Sequence, residues 1–180
     1  MDEYIGVLPD APQSFGNFLR IRIFDKVPFK NVYYLNGHAT DLEEECTRYT
    51  SLLSQFPTDI VCLGIGENGH IAFNDPDVAN FNDHKLVKIV KLDHVCRQQQ
   101  VNEKCFETLE QVPTEALTLT IPALLKAKWM FCIVPFKNKS QAVYRTIHGD
   151  ISEKCPASIL RRKEKSSLYL DTESAQLLNL

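Results

Sequence analysis

No C-x-x-C pair occurs anywhere in the chain, although it holds six cysteines. Cys46, Cys62, Cys96, Cys105, Cys132 and Cys155 are scattered, which argues against a disulfide framework. Cys62 and Cys132 lie inside the apolar runs IVCLG and MFCIV, where a thiol serves as a small core residue. The six therefore read as reduced thiols without catalytic work. Long apolar runs are also missing: none approaches the ~20 residues of a membrane helix, so no membrane partner is expected. The opening MDEYIGVLPD lacks the charged-then-apolar pattern of a secretory leader, and the expected location is cytoplasmic. Positive charge is in short supply, with 20 Lys and Arg against 23 Asp and Glu. The net charge of −3 argues against a nucleic-acid surface, which carries a strongly basic face. Internal repeats, low-complexity tracts and Pro/Gly/Ser linkers are absent too. With 180 residues, the chain reads as one well-buried domain over 1–180.

What is present is an alternation of apolar runs and helical patterns. NVYYLNG (31–37), DIVCLGIG (59–66), KLVKIVKLD (85–93), EALTLT (115–120), KWMFCIVPF (128–136) and SSLYLD (166–171) are strand candidates. DLEEECTRYTSLLSQF (41–56) has helix-period apolar spacing with acids in its first turn. Further helix candidates are CRQQQVNEKCF (96–106), NKSQAVYRTIHG (138–149) and TESAQLL (172–178). Strands apolar throughout, alternating with helices, predict an α/β fold: three layers, a mostly parallel sheet, helices on both faces. In such sheets ligands bind at the loops beyond the carboxyl ends of the strands, here Gly64–Pro76 and 135–140.

Three of the seven glycines fall within six residues of GIGENGHIAFNDP, at Gly64, Gly66 and Gly69. The spacing G-x-G-x-x-G is that of a dinucleotide-binding turn, which needs a helix opening at the third glycine. Here Pro76 and a crowd of Asn and Asp follow, leaving no room for a crossover helix. Asp93 falls at the distance of a ribose-binding acid, but without the helix that carries no weight. The loop offers a histidine instead: His70, flanked by Glu67, Asn68 and Asp75, on a backbone that glycine leaves free to approach a ligand. An imidazole with a carboxylate partner moves protons near neutral pH, or is simply a turn residue bonded to that carboxylate.

GIGENGHIAFNDP resembles the signature of the glucosamine-6-phosphate deaminase/isomerase family, close to G-[IV]-G-x-[DN]-G-H-I-[AG]-F-N-E-P. MDEY at the start is similar to that family's other catalytic segment, and NVYYLNG, DLEEECTRY, QVPTEALTL and CPASIL fit as well. The sister 6-phosphogluconolactonases share the fold but read S-L-F-P where this chain has Phe73-Asn74-Asp75-Pro76, which favours the deaminase. The resemblance implies conversion of glucosamine 6-phosphate to fructose 6-phosphate and ammonia, without metal or cofactor. It implies a phosphosugar as the small-molecule partner and leaves homo-oligomerisation open. His70 matches the ring-opening histidine, and Asp2 the base that moves a proton from C2 to C1. Asn68 stands in a slot that is Asp in some members and Asn in others. Asp75 replaces the usual Glu and is one methylene shorter, so its contact with His70 needs the loop drawn in.

For the phosphate, Lys139 matches the family's contacting lysine, and a second cation is expected from the 96–106 helix, where Arg97 and Lys104 both qualify. Gly64 matches a glycine whose backbone lies against the sugar, and 92–113 resembles a mobile lid. Family members carry a strand–helix region with a phosphate-cradling loop before the Met-Asp-Glu-Tyr run. This chain begins at that run, so it is expected to correspond to the C-terminal major part of the family domain. Two other readings remain beside the deaminase: a lactone hydrolase in which His70 activates water, and a sugar-phosphate sensor that binds without turnover.

Overall fold

Two three-stranded sheets organise the computed structural model, which describes residues 1–179. One is parallel, in the order β2 (Ile60–Leu63), β5 (Trp129–Val134), β6 (Ser166–Leu170). The other is antiparallel, with β4 (Glu115–Leu119) between β1 (Asp2–Tyr4) and β3 (Val87–Lys91). The expected α/β fold is present, but the parallel arrangement belongs to the first sheet alone and helices do not cover both of its faces. Apolar periodicity marks a strand without marking its direction, so the antiparallel sheet could not be read from it.

The helices are α1 (Phe15–Leu19), α2 (Leu42–Gln55), α3 (His94–Asn102), α4 (Ile121–Leu125) and α5 (Ser140–His148). α3 begins and ends earlier than the expected 96–106, α5 occupies the inner part of 138–149, and α2 and α3 both open on a capping aspartate. Asp41 accepts from the N–H groups of Glu43 and Glu44, and three glutamates fill the first turn of α2 against its positive end. Asp93 accepts from the Cys96 N–H and opens α3, which Lys104, at φ +60°, follows with a left-handed turn. α1 was not expected. Its exposed N–H groups are bonded by the buried Glu3 carboxylate, which accepts from Phe15 N, Gly16 N and the Ser14 hydroxyl.

Two expected elements are absent from the described residues. NVYYLNG is irregular: its backbone groups bond to side chains of α2, with Asn36 N donating to Glu45 and Arg48 donating to the Tyr34 carbonyl. TESAQLL forms turns held by reciprocal bonds between Asp171 and Ser174. Both segments satisfy their backbone locally, and propensity alone does not reveal that.

Val61, Leu63, Met130, Cys132 and Val134 line the buried face of the parallel sheet. On its other face Ile60, Trp129, Ile133 and Tyr169 are exposed, and Cys62 with them. Cys62 is therefore no core thiol: strand alternation turns it outward while Cys132 points in. All six cysteines are free. Parallel sheets ordinarily bury both faces, so this open face is a solubility liability of the 180-residue chain. Ile60→Lys with Ile133→Lys is expected to lower hydrophobic-dye binding and precipitation without lowering the melting temperature by more than a few degrees. An unchanged dye signal would show that the face is not the sticky one. No helix of the described residues is long and apolar enough to cross a membrane.

Candidate active site

The loop after β2 is a tight turn anchored at both ends. Gly66 N donates to the His70 carbonyl and Gly69 N to the Gly66 carbonyl, with Gly69 at φ +91°. Ala157 N donates to the Gly69 carbonyl, and Phe73 N to the Thr118 hydroxyl. The buried Asn74 amide donates to the carbonyls of Ile71 and Leu119. These bonds tie the loop to β4, and β4 pairs Thr118 opposite Asp2. Tyr4, at the end of β1, adds an aromatic cluster with Phe15, Phe73 and Phe106, at ring-centroid distances of 4.9, 5.2 and 5.5 Å. Asp2 and His70, 68 positions apart in the sequence, are thereby neighbours close enough for their charges to interact.

His70 Nδ1 lies 2.9 Å from Asp75 Oδ1 and 2.8 Å from Asn68 Oδ1. The short Asp75 side chain thus reaches the ring. Asn68 is fixed in orientation: its amide nitrogen donates to Asp75 Oδ1 and Asp93 Oδ2, and its oxygen accepts from the His70 N–H. Burial works to raise the pKa of Asp75, but the His70 bond and charge, the Asn68 amide and the Asp93 N–H outweigh it and hold the carboxylate below its ordinary range. Asp75 is a permanent anion at neutral pH. Asp2 is the opposite case. Burial raises its pKa, opposed by the chain amino group and by His70, and the net direction is upward. Two carboxylates pushed apart in this way suit an orienting anion and a proton acceptor.

Cys96 joins His70 and Asp75 in a buried trio whose ligand atoms all lie within 4.8 Å of one another. Burial, then the charges of Asp75 and Asp93, push its thiol far above the ordinary range. The protonated sulfur is a poor metal ligand, and the trio's donor chemistry favours a hydrogen-bonded packing group.

Gly64 sits at the end of β2, where an added methyl group would meet only the Ile133 carbonyl, at 3.4 Å. Lys139 is buried just before α5, its ammonium 3.1 Å from Glu103 Oε1. Arg97 is spent elsewhere: its guanidinium donates to the carbonyls of Leu109 and Val112, holding the segment after α3. Lys104 lines a cavity of about 850 Å³ with Val101, Phe106 and Gln111, a lining that includes none of His70, Asp75 or Asp2. The structure therefore gathers Asp2, Asn68, His70 and Asp75, sets Lys139 at the end of α3, and leaves Arg97 and Lys104 outside the cluster.

Sequence reasoning missed Asp93, Gln99 and Glu103. Asp93 matters here as the cap of α3 and a partner of Asn68, not as a ribose acid. Gln99 accepts from Glu67 N and donates to Glu103. The only hint was their place in a segment rich in amides and acids.

Comparison with known proteins shows the family. The family described as "Glucosamine-6-phosphate isomerases/6-phosphogluconolactonase" matches residues 2–169. A glucosamine-6-phosphate deaminase of Bacillus cereus (strain B4264) is 41% identical over 177 residues, which are 98% of this chain and 66% of that protein. The chain thus spans 66% of the length of that curated relative. The namesake protein of Listeria innocua is 39% identical over 178 residues, 99% of this chain and 74% of its own length. A solved monomeric glucosamine-6-phosphate deaminase superposes with a TM-score of 0.91 at 36% identity, covering 98% of this chain and 73% of its own. The 6-phosphogluconolactonase of Trypanosoma cruzi shares the fold, with a TM-score of 0.75 at 19% identity. Matching nearly end to end, and carrying the histidine loop with its carboxylate in contact, the chain belongs to the glucosamine-6-phosphate isomerase/6-phosphogluconolactonase family.

Proposed function

We propose that the chain carries a glucosamine-6-phosphate deaminase activity, with a phosphosugar as its partner and the cytoplasm as its place of work. The observation that carries this reading is the setting of His70 Nδ1 between two acceptors, Asp75 Oδ1 and Asn68 Oδ1. With acceptors on both sides, Nδ1 holds the ring proton and Nε2 keeps its lone pair for the substrate. Nε2 takes the proton from the sugar's O1 hydroxyl and returns it to O5 as the C1–O5 bond breaks, leaving the open aldehyde. Asp2, whose pKa is raised by burial, takes the proton from C2. The electron pair moves onto O1, which takes a proton from water to give the C1=C2 enolamine, and the proton held by Asp2 is returned to C1. The resulting C2 iminium is hydrolysed by water, which releases ammonia as ammonium and leaves the 2-ketose phosphate. Lys139 holds the phosphate. Of the two further cations, the Arg97 guanidinium is occupied by carbonyls and Lys104 lines a cavity away from His70, so Lys139 alone carries the phosphate in this reading.

The deciding assay sets ammonia release from glucosamine 6-phosphate beside hydrolysis of 6-phosphogluconolactone. It is run on the 180-residue chain and on a form extended upstream with a homologous front segment. Ammonia release in either form is the expected result. Lactone hydrolysis without ammonia would replace the deaminase by the hydrolase, and phosphosugar binding with neither product would make the chain a sensor.

A further inference from the structure

Lys139 presents a problem of charge. Its side chain is 8% exposed, and a lysine that deep needs an anion beside it or its ammonium is costly to keep. The anion in the structure is Glu103, 3.1 Å away, whose side chain is 39% exposed and so forms the solvent-facing half of the pair. Glu103 comes from another part of the chain, the residue that ends α3, and it is held by one further bond, from Gln99 Nε2 at 2.8 Å. The Gln99 oxygen accepts in turn from the N–H of Glu67, next to Asn68 in the histidine loop.

We propose that Glu103 is a resident anion of the phosphate subsite: its carboxylate holds the Lys139 ammonium while no substrate is bound, and an incoming phosphate must take its place. The inference rests on the reading of Lys139 as the phosphate contact. Phosphate binding is then an exchange of anions on one buried lysine and not a simple addition, because the dianion and the Glu103 carboxylate cannot share the ammonium without repelling one another. Three consequences follow from the geometry. Glu103 lowers the apparent affinity for phosphate, since the competent state is only the fraction in which it has swung away. It selects against singly charged ligands, which gain less than a dianion from displacing a carboxylate. Its departure also releases Gln99, which touches the loop bearing Asn68 and His70, so phosphate arrival is passed to the catalytic loop through a single amide side chain.

The test is a ³¹P NMR titration of inorganic phosphate against the wild-type chain, Glu103→Gln, Glu103→Asp, Lys139→Ala and the Glu103→Gln/Lys139→Ala pair. Glu103→Gln keeps an acceptor for Gln99 and removes the charge. It is expected to tighten phosphate binding about three- to tenfold. Glu103→Asp, with its carboxylate drawn back, should fall between that variant and wild type. The gain should vanish when Lys139 is also replaced. In a form that releases ammonia, the KM for glucosamine 6-phosphate should fall by a like factor. Affinity unchanged or weakened in Glu103→Gln, or a gain that survives loss of Lys139, would overturn the proposal, as would phosphate binding by none of the variants. The titration needs no turnover. Tightening without ammonia release in any form would sink the deaminase reading alone, and ammonia release without tightening would sink the Glu103 proposal alone.

Discussion

Replacing His70 by Gln is expected to lower turnover by ~10²–10⁴-fold while moving the KM only a few-fold. Gln retains a polar group that can bond to Asp75 and Asn68, so the turn should survive. What it lacks is a ring nitrogen that can both give and take a proton. Because Nδ1 is held by Asp75 at 2.9 Å, the atom the substitution removes from the proposed proton transfer is Nε2, and the proposed phosphate contact at Lys139 is left in place. Lys139→Ala should show the opposite split. Loss of one charge-assisted bond, at ~1.5–3 kcal/mol, raises the KM roughly ten- to a hundredfold with a smaller change in kcat. Steady-state kinetics on whichever form releases ammonia checks both, and the same kinetic pattern from the two variants would refute the division of roles.

Much of the site was legible because its chemistry is local in sequence. His70, Asn68 and Asp75 fall within eight residues, and Gly69 between them, with Gly64 and Gly66 just before, announces a turn that brings them together. That Asp75 is too short to reach the ring unaided was also legible. What closes the distance was not: Asn74 and Phe73 bond to β4, 45 residues away in sequence, and draw the loop inward. Asp2 shows the same limit. A carboxylate at the second residue has no local reason to be buried, and it is placed only by pairing with Thr118 across an antiparallel sheet whose direction no periodicity records.

The expected cations were legible as residues and misleading in their placement. Arg97 and Lys104 looked equivalent as cations on one helical stretch, but α3 stops at Asn102 and the left-handed turn at Lys104 sends the chain away. Arg97, still on the helix, donates to the carbonyls of Leu109 and Val112 in a segment short of regular structure. The open face of the parallel sheet follows the same logic. Runs such as IVCL and WMFCIV call for burial on both faces, and the structure supplies cover for one, so a sequence can state a demand that the described residues do not meet.

Gly66→Ala is expected to cost nearly as much turnover as loss of the histidine itself, within about tenfold of His70→Gln. A methyl group built on Gly66 would stand 2.2 Å from His70 Cε1 and 2.4 Å from each ring nitrogen, so the imidazole lies flat against the Gly66 backbone. The backbone of Gly66 is not in the left-handed region, so alanine brings no conformational strain, and the whole effect falls on the ring. The ring cannot give way cheaply. Moving it by the angstrom or more that a methyl contact needs breaks the Nδ1 bonds to Asp75 and Asn68, and those bonds set its tautomer. A displacement of that size in a reacting group costs about a hundredfold on its own. Two neighbouring glycines serve as controls. Gly69→Ala meets Cys155 Sγ at 2.8 Å from a backbone at φ +91°, and should lower the melting temperature along with activity. Gly64→Ala meets only a carbonyl at 3.4 Å and should fold normally, with its effect confined to the KM. The imidazole resonances of His70, followed by ¹⁵N NMR across pH 5–8, report directly on the ring. In Gly66→Ala they should lose the Nδ1-protonated tautomer expected of the parent protein while the fold, read by amide dispersion, stays intact. Normal turnover with an unshifted ring would mean that the imidazole works from somewhere other than the face of Gly66.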